Sequence, residues 1–195
     1  MAIPAGGSRI YYEMMLQPDQ SYLADLAALA SGPGIGVCFV CAGNICRSPM
    51  AEAIARVMAD AASPFSATFE SAGTGGWHQG DDADPRTRAA LARAGYSLVG
   101  HHARRYRNEW TDSLSLVVAL DTENHRDLAS LPSLRRDPKK LVLLRAFSSD
   151  RKGGRGDLDV PDPYMGGPAD FDFSLRIIEE SLAGLMGALG ARLPG

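Results

Sequence analysis

Cys41, Arg47 and Ser48 lie within one eight-residue stretch, CAGNICRS, that directly follows the apolar run IGVCFV. A cysteine thiolate is a strong nucleophile, and the planar fork of an arginine can grip two oxygens of a phosphate at once. Gly43 and Asn44 tolerate positive φ. The backbone N–H groups of the loop (Ala42, Gly43, Asn44, Ile45 and Cys46) can therefore curl into an anion-binding nest. The floor of such a positive cup favours a thiolate at Cys41, and Ser48 can hydrogen-bond the sulfur. These residue types at this spacing suit transfer of a phosphoryl group to sulfur.

Transfer to sulfur leaves an oxygen that needs a proton, so a second group must act as acid. The segment DVPDPYMGG offers Asp162 between Pro161 and Pro163, which stiffen the loop and disfavour helix there. Alone, a Pro-Asp-Pro turn is an ordinary surface turn. Its pairing with the cysteine loop gives it chemical meaning. The plainer readings of Cys41 are core filler, or a zinc ligand with Cys38 at Cys-x2-Cys spacing. No second metal-spaced pair follows, and residues three apart on a strand point to opposite faces, so Cys38 reads as core.

These residues need a scaffold. Strand-like runs occupy 35–40, 65–71, 114–120 and 140–147, with helical patterns between them. One helix begins with Pro49 at its first position and aligns Met50, Ile54, Val57 and Met58 on one face. Another spans 84–95, burying Leu91 and stopping at Gly95; a third covers 122–131. The last, 171–190, carries Leu175, Ile178, Leu182 and Leu185 at core spacing. Continuous apolar strands, each followed by a helix, predict a doubly wound α/β domain with a four-stranded parallel sheet flanked by helices. In such sheets ligands bind beyond the carboxyl ends of the strands, which is where CAGNICRS falls.

Residues 1–34 stand apart as an N-terminal extension, either disordered or carrying one short helix. A frayed tail or cloning remnant is the favoured expectation. The other is a docked helix using Leu23, Leu26, Leu29 and Ala30 after a Ser21 cap.

The 195 residues are 45% hydrophobic and 22% charged, ordinary for one globular domain. A net charge of -3 gives no electrostatic reason to expect nucleic acid or an anionic membrane. The three cysteines sit within nine residues, a local chemical cluster in a reducing compartment instead of a disulfide framework. No apolar run reaches membrane-spanning length and no secretory signal pattern opens the chain. The expected location is the cytoplasm, with export lacking a signal peptide also compatible.

VCAGNICRSPMAEA together with DVPDPY resembles the low-molecular-weight protein tyrosine phosphatases, over roughly residues 35 to 190. SAGTGGWHQG (71–80) is similar to that family's pocket-rim loop, and HHAR (101–104) and ALDTENHRDL (119–128) to further landmarks. The resemblance implies a flavodoxin-like, phosphotyrosine phosphatase I-like fold over residues 35–195. It implies that Cys41 attacks phosphorus and becomes phosphocysteine, while Arg47 and the loop amides hold the equatorial oxygens. Asp162 protonates the departing phenolate and then activates water. Asn44 shapes the loop through Ser48, Ser71 and His101, the histidine acting as support. The same resemblance implies reversible oxidation pairing Cys41 with Cys46.

A nucleophile at the floor of a cup favours a long, flat leaving group, and Trp77 and Tyr164 could sandwich a phenyl ring. Many relatives place two tyrosines after the Asp-Pro pair; Met165 here alters the rim. Tyr164 is itself a candidate phosphorylation site. Arsenate reductases of this fold relay electrons through cysteines further downstream, and none follows Cys46. Protein-arginine phosphatases tend to carry threonine where this chain has Ile45, whose apolar side chain suits an aromatic substrate. A non-catalytic phosphate-binding or redox-sensing module is the rival from another class, and the full set of nucleophile, arginine, serine and acid argues against it. No cofactor or metal is implied. The expected partners are phosphotyrosine-containing proteins, with phosphate or other oxyanions in the loop, and the expected state is a monomer or weak dimer. His78 and His125 read as surface residues.

Overall fold

IGVCFVC carries no charge, so β1 (Ile35–Cys41) can be covered on both faces and forms the middle of the sheet. The computed structural model describes residues 18–29, 34–62, 66–149 and 158–191. β2 (Ala67–Gly73), β3 (Leu116–Ala119) and β4 (Leu141–Leu143) complete a parallel sheet of order β2-β1-β3-β4. The chain leaves β1 toward one edge for β2 and later toward the other for β3. This reversal opens a crevice at the carboxyl end of β1.

Period-two alternation along β1 divides the core into two layers. Val37, Phe39 and Cys41 face α2 (Arg47–Ala61), α3 (Pro85–Arg93) and α6 (Pro168–Ala188). Cys38 and Val40 face the other layer, where Leu128 of α4 (Thr122–Ala129) and Leu134 of α5 (Pro132–Arg136) are buried. Each such apolar side chain contributes about 1.5–3 kcal/mol by leaving water. In α6, Leu175, Ile178, Leu182 and Leu185 are all in the core.

Several elements differ from the sequence pattern. α2 begins at Arg47, two residues before Pro49, and Val57 is 46% exposed although Met50 and Ile54 are buried. The expected strand over 140–147 is only Leu141–Leu143, followed by a 3-10 turn, Leu144–Phe147. That turn passes under α6 so closely that a Cβ on Gly184 would lie 2.0 Å from the Phe147 carbonyl oxygen. Leu144 there is buried in the layer that holds α6, and Ala146 in the opposite layer.

Within the extension, α1 (Gln20–Leu29) is a ten-residue helix with Tyr22 and Leu26 buried in the same core layer as α6. Asp19, not Ser21, caps it by accepting from the Tyr22 N–H at 2.8 Å. Tyr22 donates its hydroxyl to the Lys139 carbonyl at 2.8 Å. Residues 1–17 lie outside the described residues. No helix among those described is long and apolar enough to cross a membrane.

Candidate active site

The loop after β1 turns on Asn44, the only non-glycine with positive φ (58°) among the described residues. Four partners hold that conformation. Asn44 Nδ2 donates to Ser48 Oγ and Ser71 Oγ, both at 2.9 Å, and its Oδ1 accepts from the Arg104 N–H at 2.9 Å. His101 Nε2 meets the Asn44 carbonyl oxygen at 2.8 Å, and burial pushes its imidazole below the usual range. His101 is thus a buried neutral donor to backbone. The rim strand fastens the same loop, Thr74 N–H to Cys41 O at 2.8 Å and Gly75 N–H to Ala42 O at 3.0 Å. Gly73 permits this approach, since a Cβ there would sit 2.6 Å from the Ala42 carbonyl oxygen.

Cys41 Sγ lies 3.0 Å from Ser48 Oγ, which also reaches the Ala72 carbonyl at 3.2 Å. Cys46 precedes α2 without a side-chain cap, so the first N–H groups of α2 remain available to an anion. Burial, with Asp84 nearby, pushes the Cys46 thiol up to about 12, and burial raises Cys38 as well. Both are protonated at neutral pH.

Arg47 is 3% exposed. Its Nη1 donates to Asp121 Oδ2 at 2.6 Å and the Val160 carbonyl at 3.1 Å, and its Nη2 to Asp162 Oδ2 at 2.7 Å. Burial alone would lower its pKa; the charges of Cys41, Asp162 and Asp121 more than reverse this. The guanidinium is therefore a fixed positive charge, with Nε buried and unpartnered. Asp162 is 47% exposed, and its Oδ1 accepts from the Tyr164 N–H at 3.1 Å. Nucleophile, anion-binding amides, arginine and a solvent-accessible carboxyl thus converge at the switch-point crevice. Such a set can accept a phosphoryl group on sulfur and protonate the leaving oxygen.

The structure brings together Cys41, Ala42, Gly43, Asn44, Ile45, Cys46, Arg47, Ser48, Ser71, His101 and Asp162. The aromatic sandwich is not formed. Trp77 is 71% exposed and folds over Gly75, whereas His78, not Trp77, lies edge-on to Tyr164 at 6.4 Å between ring centroids. Met165 is 92% exposed. His78, expected on the surface, packs over the loop, 3.0 Å from where a Cβ on Gly43 would stand, with Nδ1 on Asp81 at 3.1 Å. His125, also expected on the surface, is 6% exposed; it sits on the inward side of α4, and burial lowers it to about 4.

Two functional carboxylates escape the sequence reading. Asp121 both caps α4, accepting from the Asn124 N–H at 2.6 Å, and holds Arg47. A charge immediately after the apolar run LVVAL was its signal. Glu52 is 8% exposed and accepts from Ser71 Oγ at 2.6 Å, extending the Asn44 network into α2. Nothing in its local sequence separates it from an exposed helix position.

A protein-family profile described as low molecular weight phosphotyrosine protein phosphatase matches residues 36–194. A low molecular weight protein-tyrosine-phosphatase of Streptomyces coelicolor is 49% identical, the match covering 82% of this chain and 96% of that one. The crystal structure of YfkJ from Bacillus subtilis superimposes with a TM-score of 0.74 at 34% identity, over 82% of this chain and 96% of its own. A structure of the YwlE arginine phosphatase, a mutant with a phosphorylated active-site serine, matches with a TM-score of 0.68 at 28% identity, over 80% and 96%. The sheet order, the loop that closes on Asn44 and this likeness over nearly all of residues 36–194 have one reading: the chain belongs to the low-molecular-weight phosphotyrosine protein phosphatase family.

Proposed function

We propose that this protein hydrolyses phosphotyrosine in proteins through a phosphocysteine intermediate. The observation that carries the reading is the convergence on one crevice of Cys41, 3.0 Å from Ser48 Oγ, and Arg47, 2.7 Å from Asp162. The Cys41 thiolate attacks phosphorus while Arg47 and the loop N–H groups hold the equatorial oxygens. Substrate oxygens take over the Arg47 donor that Asp162 occupies, and the freed carboxyl, carrying a proton taken from solvent or from the water of the preceding turnover, passes it to the leaving phenolate. In the second step Asp162 takes a proton from water as it attacks the phosphocysteine. Ser48 supports the sulfur as it leaves. Asn44, Ser71 and His101 keep the cup in shape, and Tyr164 and Met165 form the rim that the substrate ring passes.

The reading carries a cytoplasmic site of action, a monomer or weak dimer, and phosphate or related oxyanions as competing ligands. Cys46 is the resolving partner if peroxide oxidises Cys41. Arginine phosphatase activity is the second reading, favoured by the likeness to YwlE; the apolar Ile45 at the cup speaks for the aromatic ester.

The test is phosphate release from phosphotyrosine and phosphoarginine peptides by the wild type, Cys41→Ser and Asp162→Asn. A preference for phosphotyrosine, no turnover by Cys41→Ser, and a slowing of roughly two to four decades in Asp162→Asn are expected. Preference for phosphoarginine would move the function to the second reading, and no release from either peptide would sink both.

A further inference from the structure

The carboxyl of Asp162 has to stand within about 3 Å of the leaving oxygen to pass its proton. Its loop is held upstream by buried groups. Val160 N–H donates to Leu120 O at 2.8 Å, and Ser174 Oγ to Pro161 O at 2.7 Å. Downstream, a turn closes from Gly166 N–H to Pro163 O at 2.8 Å, and its outer face meets Arg86.

Arg86 Nη1 donates to the Gly166 carbonyl at 2.9 Å. Its Nε and Nη2 grip both oxygens of Asp84, at 3.0 and 2.8 Å, and its guanidinium lies 4.6 Å from the Phe171 ring centroid and 5.8 Å from that of Tyr164. Asp84 in turn donates its N–H to the Ile45 carbonyl of the phosphate-binding loop at 2.9 Å. Hydrogen bonds from Arg86 hold the Asp84 carboxyl below its ordinary range, as a fixed ion pair requires. An unbroken path of polar contacts thus runs from the cup, through Asp84 and Arg86, to the turn that follows the acid.

We propose that Arg86 is a positioning residue for Asp162, a strut that fixes the distance between the acid loop and the phosphate-binding loop. The inference rests on the phosphatase reading above. Only arginine serves: the path needs two donors for Asp84, a third directed at Gly166, and a flat face for Phe171, which lysine does not supply.

Acid placement is read through the leaving group. Phosphotyrosine expels a phenolate that needs a proton, whereas 4-nitrophenyl phosphate expels an anion that departs largely unaided. Arg86→Gln is expected to lower kcat/KM for a phosphotyrosine peptide by about 10–100-fold, with a loss on 4-nitrophenyl phosphate at least about tenfold smaller. In the Asp162→Asn background the same substitution is expected to cost nothing more, because the strut then positions nothing. Arg86→Lys should fall between. Asp84→Asn, which keeps a cap oxygen for α3 but loses the ion pair, should reproduce the leaving-group pattern and serves if Arg86→Gln does not fold. Equal losses on both substrates, losses that multiply with Asp162→Asn, or no loss at all would overturn the strut. If Asp162→Asn itself matches the wild type on phosphotyrosine, the phosphatase mechanism fails instead, and the two failures are distinct.

Discussion

The phosphate-binding loop and the acid loop meet at one arginine, yet they are built in opposite ways. Residues 41–48 are buried or nearly so, and Asn44 alone makes four contacts that hold its left-handed backbone. Asp162 is 47% exposed and Met165 92%, and their loop is pinned mainly at its ends. The nucleophile needs a rigid cradle, because a dianion is bound only by donors already aimed at it. In the proposed mechanism the acid must release Arg47 to the substrate, exchange protons with water and let a product out. A loop fixed at its ends and open in the middle permits all three.

Asn44→Ala strikes the rigid side hardest. It puts a Cβ residue at φ 58° with no amide to answer Ser48, Ser71 and the Arg104 N–H. A loss of about 3 kcal/mol in urea unfolding and about a hundredfold in kcat/KM is expected. A variant with near-wild-type kinetics would mean the cradle is not set by Asn44.

The arginine's other anchor is tested by acid. Asp121 caps α4, and α4 buries His125, lowered to about 4, with Nε2 unpartnered. Unfolding returns that imidazole to about 6.5, so the unfolded chain binds the extra proton between these values. Stability is therefore full at neutral pH and falls as pH drops from about 6.5 to about 4, by up to about 3 kcal/mol. His125→Gln should flatten this slope in melts at pH 7 and 4.5; an unchanged slope would assign it to other groups.

Ser174→Ala loosens the acid loop alone. It removes the bond to Pro161 O, and about 1 kcal/mol of stability and up to about tenfold in kcat/KM on phosphotyrosine peptides are expected to go with it. The inhibition constant of free phosphate should barely move; if phosphate binding weakens equally, the two loops are one unit and the contrast is false. The smallest effect belongs to Met165→Ala. At 92% exposure it should leave stability within about 0.5 kcal/mol and change only peptide preference, read as KM across peptide sequences.

How much was legible follows the same contrast. The residues of the cradle that face the substrate lie in one run, Cys41 to Ser48 directly after a strand, although Ser71, His101 and Arg104 brace it from afar. Asp162 could be read because the cysteine loop calls for an acid and a proline-flanked aspartate answers it. What escaped depends on distant chain segments. Glu52, Asp121 and Arg86 reach the site through partners 19 to 80 positions away, Ser71–Glu52, Arg47–Asp121 and Arg86–Gly166, beside whatever local contacts they make. Trp77 and His78 are adjacent in sequence, and nothing in their types said which would turn toward Tyr164. The short β4 misled because apolar residues in a buried turn look the same as apolar residues in a sheet.

α1 has a consequence in time. The ribosome makes Gln20–Leu29 before any of the described strands, yet Tyr22 donates to the Lys139 carbonyl, 117 positions on, and the groove beside Leu23 and Ala27 is walled by Gly184, Gly187 and Ala188. A ten-residue helix is marginal by itself. The first of the described helices to be synthesised is thus among the last to settle, and its docking reports that the residues of α6 have been made.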